Sequence, residues 1–152
     1  TGHEGTAELD ANRSFFDRME DVRKKAGAFM GMGDVSKSVT PKFAVLAEAD
    51  SGGDAAVRYF MPWKTHPTLA VTGSQCISAC LLCPGTVGDG LVEARTAPAN
   101  LMLEHPMGQM QVTVDFTNGD NGFDVLSAGL MRTARKLASG EVYVPKDAWS
   151  QN

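Results

Sequence analysis

The run from Gln75 to Cys83, QCISACLLC, is too apolar to lie on a surface as a helix. Only Gln75 and Ser78 are clearly polar, and Ile77, Ala79, Cys80, Leu81, Leu82 and Cys83 cover every direction of a helical wheel. A helix apolar on all sides is a buried one, and this run is far too short to cross a bilayer. Pro84-Gly85 ends it, because proline disfavours helical geometry in the residue before it and glycine suits a helix C-terminus. The expectation is a central helix wrapped by sheet. Ahead of it, Thr68 to Val71 is an apolar lead-in and Thr72-Gly73-Ser74 is a break. First-turn N–H groups lack partners within the helix and carry the positive end of its dipole. Thr72, Gly73 and Ser74, with Gln75, are therefore expected to offer an anion site made of main chain.

The rest of the chain supplies the sheet. Asp10 to Gly27 reads as one amphipathic helix, with Phe15, Phe16, Met19, Val22 and Ala26 on the apolar stripe and Arg18, Glu20, Asp21, Arg23, Lys24 and Lys25 on the polar side. Ala28 to Val39 is a glycine-broken loop. It fails the phosphate-loop pattern, because Ser36 stands where a glycine must precede Lys37. Lys42–Glu48 and Ala55–Met61 read as a β-hairpin around the turn Asp50-Ser51-Gly52-Gly53-Asp54. Leu101–Glu104 and Gly108–Phe116 read as strands; Met110, Val112, Val114 and Phe116 alternate with polar residues. Residues 117–122 are a turn, Phe123 to Leu137 is strand followed by turn or helix, and Glu141–Val144 is a last strand before Pro145. The class is α+β: one domain over 1–152, with a mixed or antiparallel sheet rolled around one buried helix.

Composition excludes some partners. The net charge of −4, with no basic run longer than Arg23-Lys24-Lys25, argues against nucleic acid or an anionic membrane. No stretch reads as a signal peptide or transmembrane span. Three cysteines within Cys76–Cys83 make no disulfide framework, fit a reducing, cytoplasmic setting, and read as buried thiols. They have no histidine or cysteine companions at metal spacing, so no metal is expected. The chain begins at Thr1 rather than methionine, as a processed, tagged or partial chain would.

Four stretches in register carry a resemblance: Met30-Gly31-Met32-Gly33-Asp34; His66 with TLAVTGSQC and Pro84-Gly85-Thr86; Glu104-His105-Pro106-Met107-Gly108; and RTARKLASGEVYVP from Arg132 to Pro145. In this order they resemble the later half of the PrpF-like proteins, which include 2-methylaconitate isomerases and 4-oxalomesaconate tautomerases. The resemblance implies a diaminopimelate epimerase-like fold of two pseudo-symmetric domains, of which this chain matches the C-terminal one. It implies an allylic isomerisation that moves a proton between two carbons of an unsaturated di- or tricarboxylate, without metal or organic cofactor. The family's lysine and cysteine acid/base groups belong to the half with no counterpart here. The partner is then a missing N-terminal half or a second chain, and an oligomer is one way to meet that need. Epimerases of this fold carry a cysteine where this chain has Val71, and valine cannot carry a proton. The family bend is usually His-Pro-Ser-Gly, so Met107 removes a hydroxyl.

The remaining candidates each have a plainer reading. His66 could relay a proton and Lys64 bind a second carboxylate, or they are a structural histidine and a solvated lysine. Met107 and Gly108 line a cleft or form a plain turn, with His105 bracing it. Met32, Gly33 and Asp34 divide the same way. Arg132 and Arg135 bind acid groups or make surface or interdomain salt bridges. Three functions follow: half of an isomerase, a non-catalytic carboxylate-binding or interaction domain, or an epimerase or racemase relative.

Overall fold

The computed structural model describes residues 2–120 and 122–149; Thr1, Asn121 (part of the turn expected over 117–122) and 150–152 lie outside the described residues. Two helices, α1 (Thr6–Ala11) and α2 (Arg13–Phe29), replace the single one expected from Asp10 to Gly27. Asn12 divides them. Its backbone leaves helical geometry and its side chain accepts the Phe15 N–H at 3.1 Å, which caps α2. Gly27 is not the end of α2 but a contact point: a Cβ there would come within 2.7 Å of Val35.

The strands are β1 (Phe43–Glu48), β2 (Ala55–Phe60), β3 (Thr65–His66), β4 (Ala99–His105), β5 (Gly108–Gly119) and β6 (Gly122–Leu130). Their order is β1-β2-β4-β5-β6, with β3 also on β2. The expected hairpin is present, antiparallel from Phe43 opposite Phe60 to Glu48 opposite Ala55. β2 and β4 run parallel through Ala55–Leu103 and Ala56–Glu104, which makes the sheet mixed. A parallel pair needs a crossover, and α3 (Val71–Leu82) lies on it. Because β1 holds one edge of β2 throughout, β4 and β3 share the other edge in succession.

β2 is buried at all six positions rather than at alternate ones, because both its faces are covered. Ala55, Val57 and Tyr59 join Leu69, Ile77, Leu81, Leu101, Leu103, Val112 and Val114 in the core around α3. On the other face Phe60 packs on Leu9 and Met19, edged by Phe15, Phe16 and Phe43. The central helix is thus sheathed on most sides, as its composition requires. Thr72 and Cys76, one turn apart, are its exposed stripe, so Cys76 is not the buried thiol expected.

Two charged residues that periodicity assigns to the surface hold the loops. Arg23 is 1% exposed. It donates to both Glu20 carboxylate oxygens at 2.6 and 2.8 Å, to Val35 O at 2.8 Å and to Ser38 and Thr40 O at 3.2 Å. This fixes the glycine-broken loop to α2. Glu104 accepts the N–H groups of Asp50, Ser51 and Gly53 at 2.7–3.0 Å, clamping the β1–β2 turn onto β4. Gly53 must be glycine, since a Cβ would sit 2.6 Å from the Glu104 side chain.

The stretch from Phe123 resolves as strand to Leu130. Residues 131–145 are exposed and form neither helix nor strand, so the last strand expected over Glu141–Val144 has no pairing partner among the described residues; Lys146–Trp149 makes a 3-10 turn. An unpaired strand cannot exist alone, which is why propensity misleads there.

Replacing Arg23 by alanine orphans the carbonyls of the loop and should cost about 3 kcal/mol in denaturant unfolding. The Arg23 hydrogen bond holds the Glu20 carboxyl below its usual range. Its contribution is therefore complete above the ordinary carboxylate pKa and is lost as pH falls through the lowered one. Arg23→Ala should flatten that acid limb of the stability profile.

Candidate functional site

α3 begins four residues before Gln75, at Val71, with Ala70 as its N-cap and no side chain to cap it. Ala70 has no side-chain oxygen to offer, so no cap satisfies the first-turn donors. The Ser74 N–H bonds Ala70 O at 2.8 Å. Among the described residues the donors left over are those of Val71, Thr72 and Gly73, one residue earlier than expected. Ser74 is a correction: it is fully buried and its hydroxyl donates to Val71 O at 2.7 Å, so it faces no ligand. Gln75 is also committed elsewhere, its side-chain amide donating to Ala128 O on β6 at 2.9 Å.

Thr72 and Gly73 open onto a groove of about 460 Å³. Its walls come from Met30 and Met32 at the end of α2, Thr40 to Ala44 entering β1, Tyr59 of β2, and Cys76 and Ile77 of α3. The wall is mostly apolar, with the amides at one end. At Gly73 α3 lies against β2 with no room for a side chain. A Cβ there would lie 2.6 Å from the Tyr59 ring and 2.7 Å from its hydroxyl. Burial pushes the Tyr59 phenol up, helped by Cys76, so it stays protonated.

The other sequence candidates divide. Met32 lines the groove, while Asp34 closes a turn by accepting Ser36 N–H at 2.9 Å. Lys64 is exposed in the tight β2–β3 turn and does not line the groove; Lys42 does. His66 pairs with Tyr59 in register and meets its ring edge-on at 6.0 Å. Its Nδ1 accepts Thr68 N–H at 3.0 Å, which puts the proton of the neutral ring on Nε2. Met107 is 73% exposed, and Gly108 has φ 135°, so the β4–β5 bend demands glycine there. Gly108 lines a second hollow with His3, Arg58, Glu104 and His105, apart from the α3 groove. His105 braces the bend by accepting Met107 N–H at 3.2 Å. Arg132 and Arg135 are exposed in the irregular tail. Among the described residues no group of three or more His, Cys, Asp or Glu could hold a metal, and no helix is long and apolar enough to cross a membrane.

The sequence reading missed Tyr59, Lys42 and Phe43. The signal for Tyr59 was the alternation of Ala55, Val57 and Tyr59, which puts all three on the face of β2 toward α3.

A family model described as PrpF protein matches residues 1–145. The chain is 42% identical to YbhH of Escherichia coli strain K12 over 145 residues, which are 95% of this chain and 41% of that protein. It is 36% identical to the (4E)-oxalomesaconate Delta-isomerase of Novosphingobium over 95% of this chain and 40% of the relative. It is 32% identical to the 4-oxalomesaconate tautomerase of Pseudomonas putida over 98% and 40%. A solved methylitaconate-delta-isomerase superposes with TM-score 0.68 over 86% of this chain and 41% of that one, at 18% identity, which shows a shared fold. The chain spans about two fifths of the length of the relatives it matches.

Gly73→Ala should test the geometry of the helix mouth. Alanine gains about 1 kcal/mol of helix propensity over glycine. The overlap with Tyr59 should outweigh that by about 1–2 kcal/mol. We expect a lower unfolding midpoint together with shifted amide resonances of Val71 and Thr72.

Proposed function

The chain belongs to the PrpF protein family, and from that premise we propose that it forms one half, the C-terminal domain, of an isomerase or tautomerase acting on an unsaturated di- or tricarboxylate. The observation that carries this is the set of uncapped amides of Val71, Thr72 and Gly73 at the end of an apolar groove. Such donors are fixed before substrate arrives and need no reorganisation when charge develops. A base on the other half takes the allylic proton. The electrons move into the conjugated system and toward the carboxylate held by the amides. The proton then returns at the far end of the allyl unit, so that bond and proton shift together. Lys42 at the groove wall suits a second carboxylate, while the methionines and Phe43 suit the carbon skeleton. The reaction so written calls for no metal or organic cofactor.

Two further observations support a second half, either on the missing portion of a longer polypeptide or on a separate chain. The rim of the helix mouth is apolar and uncovered: Phe29 is 93% exposed, Met30 64% and Val71 46%. Exposed apolar patches of this kind mark interfaces. Residues 131–145 likewise carry exposed Met131, Leu137, Val142 and Tyr143 with nothing packed on them in this chain. Val71 also separates this reading from racemisation. It stands at the first helical position, where a two-base mechanism needs a proton carrier.

Proton exchange tests the reading. Incubated with cis-aconitate in deuterated water, an assembly of this chain with its other half should incorporate deuterium at the allylic carbon and move the double bond. This chain alone, identified by intact mass, should do neither. An assembly that leaves the acid unlabelled excludes the isomerase reading and leaves a carboxylate-binding domain.

A further inference from the structure

Tyr59 is 5% exposed, its hydroxyl bonds to none of the described residues, and its ring meets the His66 ring edge-on. The hydroxyl is not among the sealed, partnerless side-chain atoms of the described residues. The little of Tyr59 that is open faces the groove, so the hydroxyl is free to donate to what sits there. The hydroxyl lies at the groove end, against Gly73, where a Cβ would be 2.7 Å from it. The neighbouring free groups, the N–H of Thr72 and Gly73, are also donors. Three donors beside one space favour an acceptor-rich group, and a carboxylate accepts more strongly than a neutral amide or ester carbonyl.

We propose that Tyr59 is a substrate-binding residue whose hydroxyl, together with the Thr72 and Gly73 amides, grips one carboxylate of the substrate and sets the specificity for acid over amide or ester. The inference rests on the helix-mouth reading above and adds a side chain to it. A main-chain site alone binds any anion of suitable size. A phenol fixed in a buried strand adds direction, because its O–H reaches only an oxygen seated between it and α3. Its rigidity comes from Val57 and Ala55 behind it and from His66 at its edge, so little is lost in ordering it. The raised phenol pKa keeps the proton in place through neutral pH.

The chain has two tyrosines, Tyr59 and Tyr143, so Tyr143→Phe leaves one tyrosine resonance. The experiment titrates cis-aconitate into that variant, labelled with 13C at the tyrosine ζ carbon and with 15N, and into Tyr59→Phe made in the same background. We expect the Tyr59 ζ carbon and the Thr72 and Gly73 amides to shift along one binding curve. We expect Tyr59→Phe to weaken binding about tenfold, a change worth about 1.4 kcal/mol, with an unchanged or higher melting temperature, since the hydroxyl has no partner in the free chain. The dimethyl ester of the acid should bind more weakly than the acid, and the gap should narrow after the substitution without closing, since the amides remain. If the amides shift while the tyrosine does not, and Tyr59→Phe binds as tightly, the role of Tyr59 is overturned and the helix-mouth reading stands. If neither amides nor tyrosine respond, both fall.

Discussion

The approach of α3 to β2 at Gly73 decides what this fold can do. With no side chain at that position, the first turn of the helix rests directly on the Tyr59 ring. That contact fixes where the three unbonded amides point and closes the groove behind them. Anything larger lifts the helix start, and the donors then face elsewhere. Because Ala70 offers no side-chain capping oxygen, the fold leaves the positive end of the α3 dipole uncapped, next to the groove. A serine or aspartate at Ala70 would steady the helix by about 1 kcal/mol and would also occupy the donors. The capless start is consistent with a stability–function compromise of the kind expected at binding sites.

The outer wall of the groove depends on a different and more distant interaction. Met32, Thr40 and Pro41 belong to a loop with two positive-φ glycines, Gly31 and Gly33, and little apolar burial of its own beyond Val35. What holds it is Arg23, whose guanidinium is paired with Glu20 and bonded to three loop carbonyls. Arg23 does not line the groove itself, yet it holds the carbonyls of Thr40 and Pro41, which do. Glu104 holds another loop in the same way: three backbone N–H groups of the β1–β2 turn converge on its carboxylate. Both are cases in which a charged side chain serves as a backbone partner in loops too irregular to satisfy themselves.

These two residues also mark where reading the sequence runs out. The buried helix, the hairpin and the alternating strand were all legible, because each follows from local pattern. Arg23 was not, because helical periodicity assigns it to the polar face and only the loop folding back on it makes that face interior. The helix start was misjudged by four residues for a related reason. Thr72, Gly73 and Ser74 have poor helix propensity, but packing on Tyr59 and the Ser74 bond to Val71 override it. Ser74 then changes from candidate ligand to internal strut. Lys64 and Lys42 are alike in sequence, and only the strand order and the tight β2–β3 turn decide which one meets the groove. The tail was read as a strand from its β-branched and aromatic residues, but a strand's stability resides in its neighbour and not in itself.

The distribution of chemistry along the groove bears on the proposed need for a second half. Its donors, Tyr59 and the amides, sit at the closed end, and its apolar residues, Met30, Met32 and Phe43, line the way in. Under the proposed reading such an arrangement would bind an acid by its head and cover its carbon skeleton, but would set no base against the carbon that must lose a proton. Cys76 is the nearest titratable thiol, and it stands one turn further along α3, on the helix flank rather than at the mouth. Catalysis by proton transfer needs a base within hydrogen-bond reach of that carbon. The open side of the groove, rimmed by Phe29, Met30 and Val71, is where such a group can approach. The same surface that is costly to leave in water is therefore the one through which the missing chemistry has to come, so association and completion of the site would be a single event.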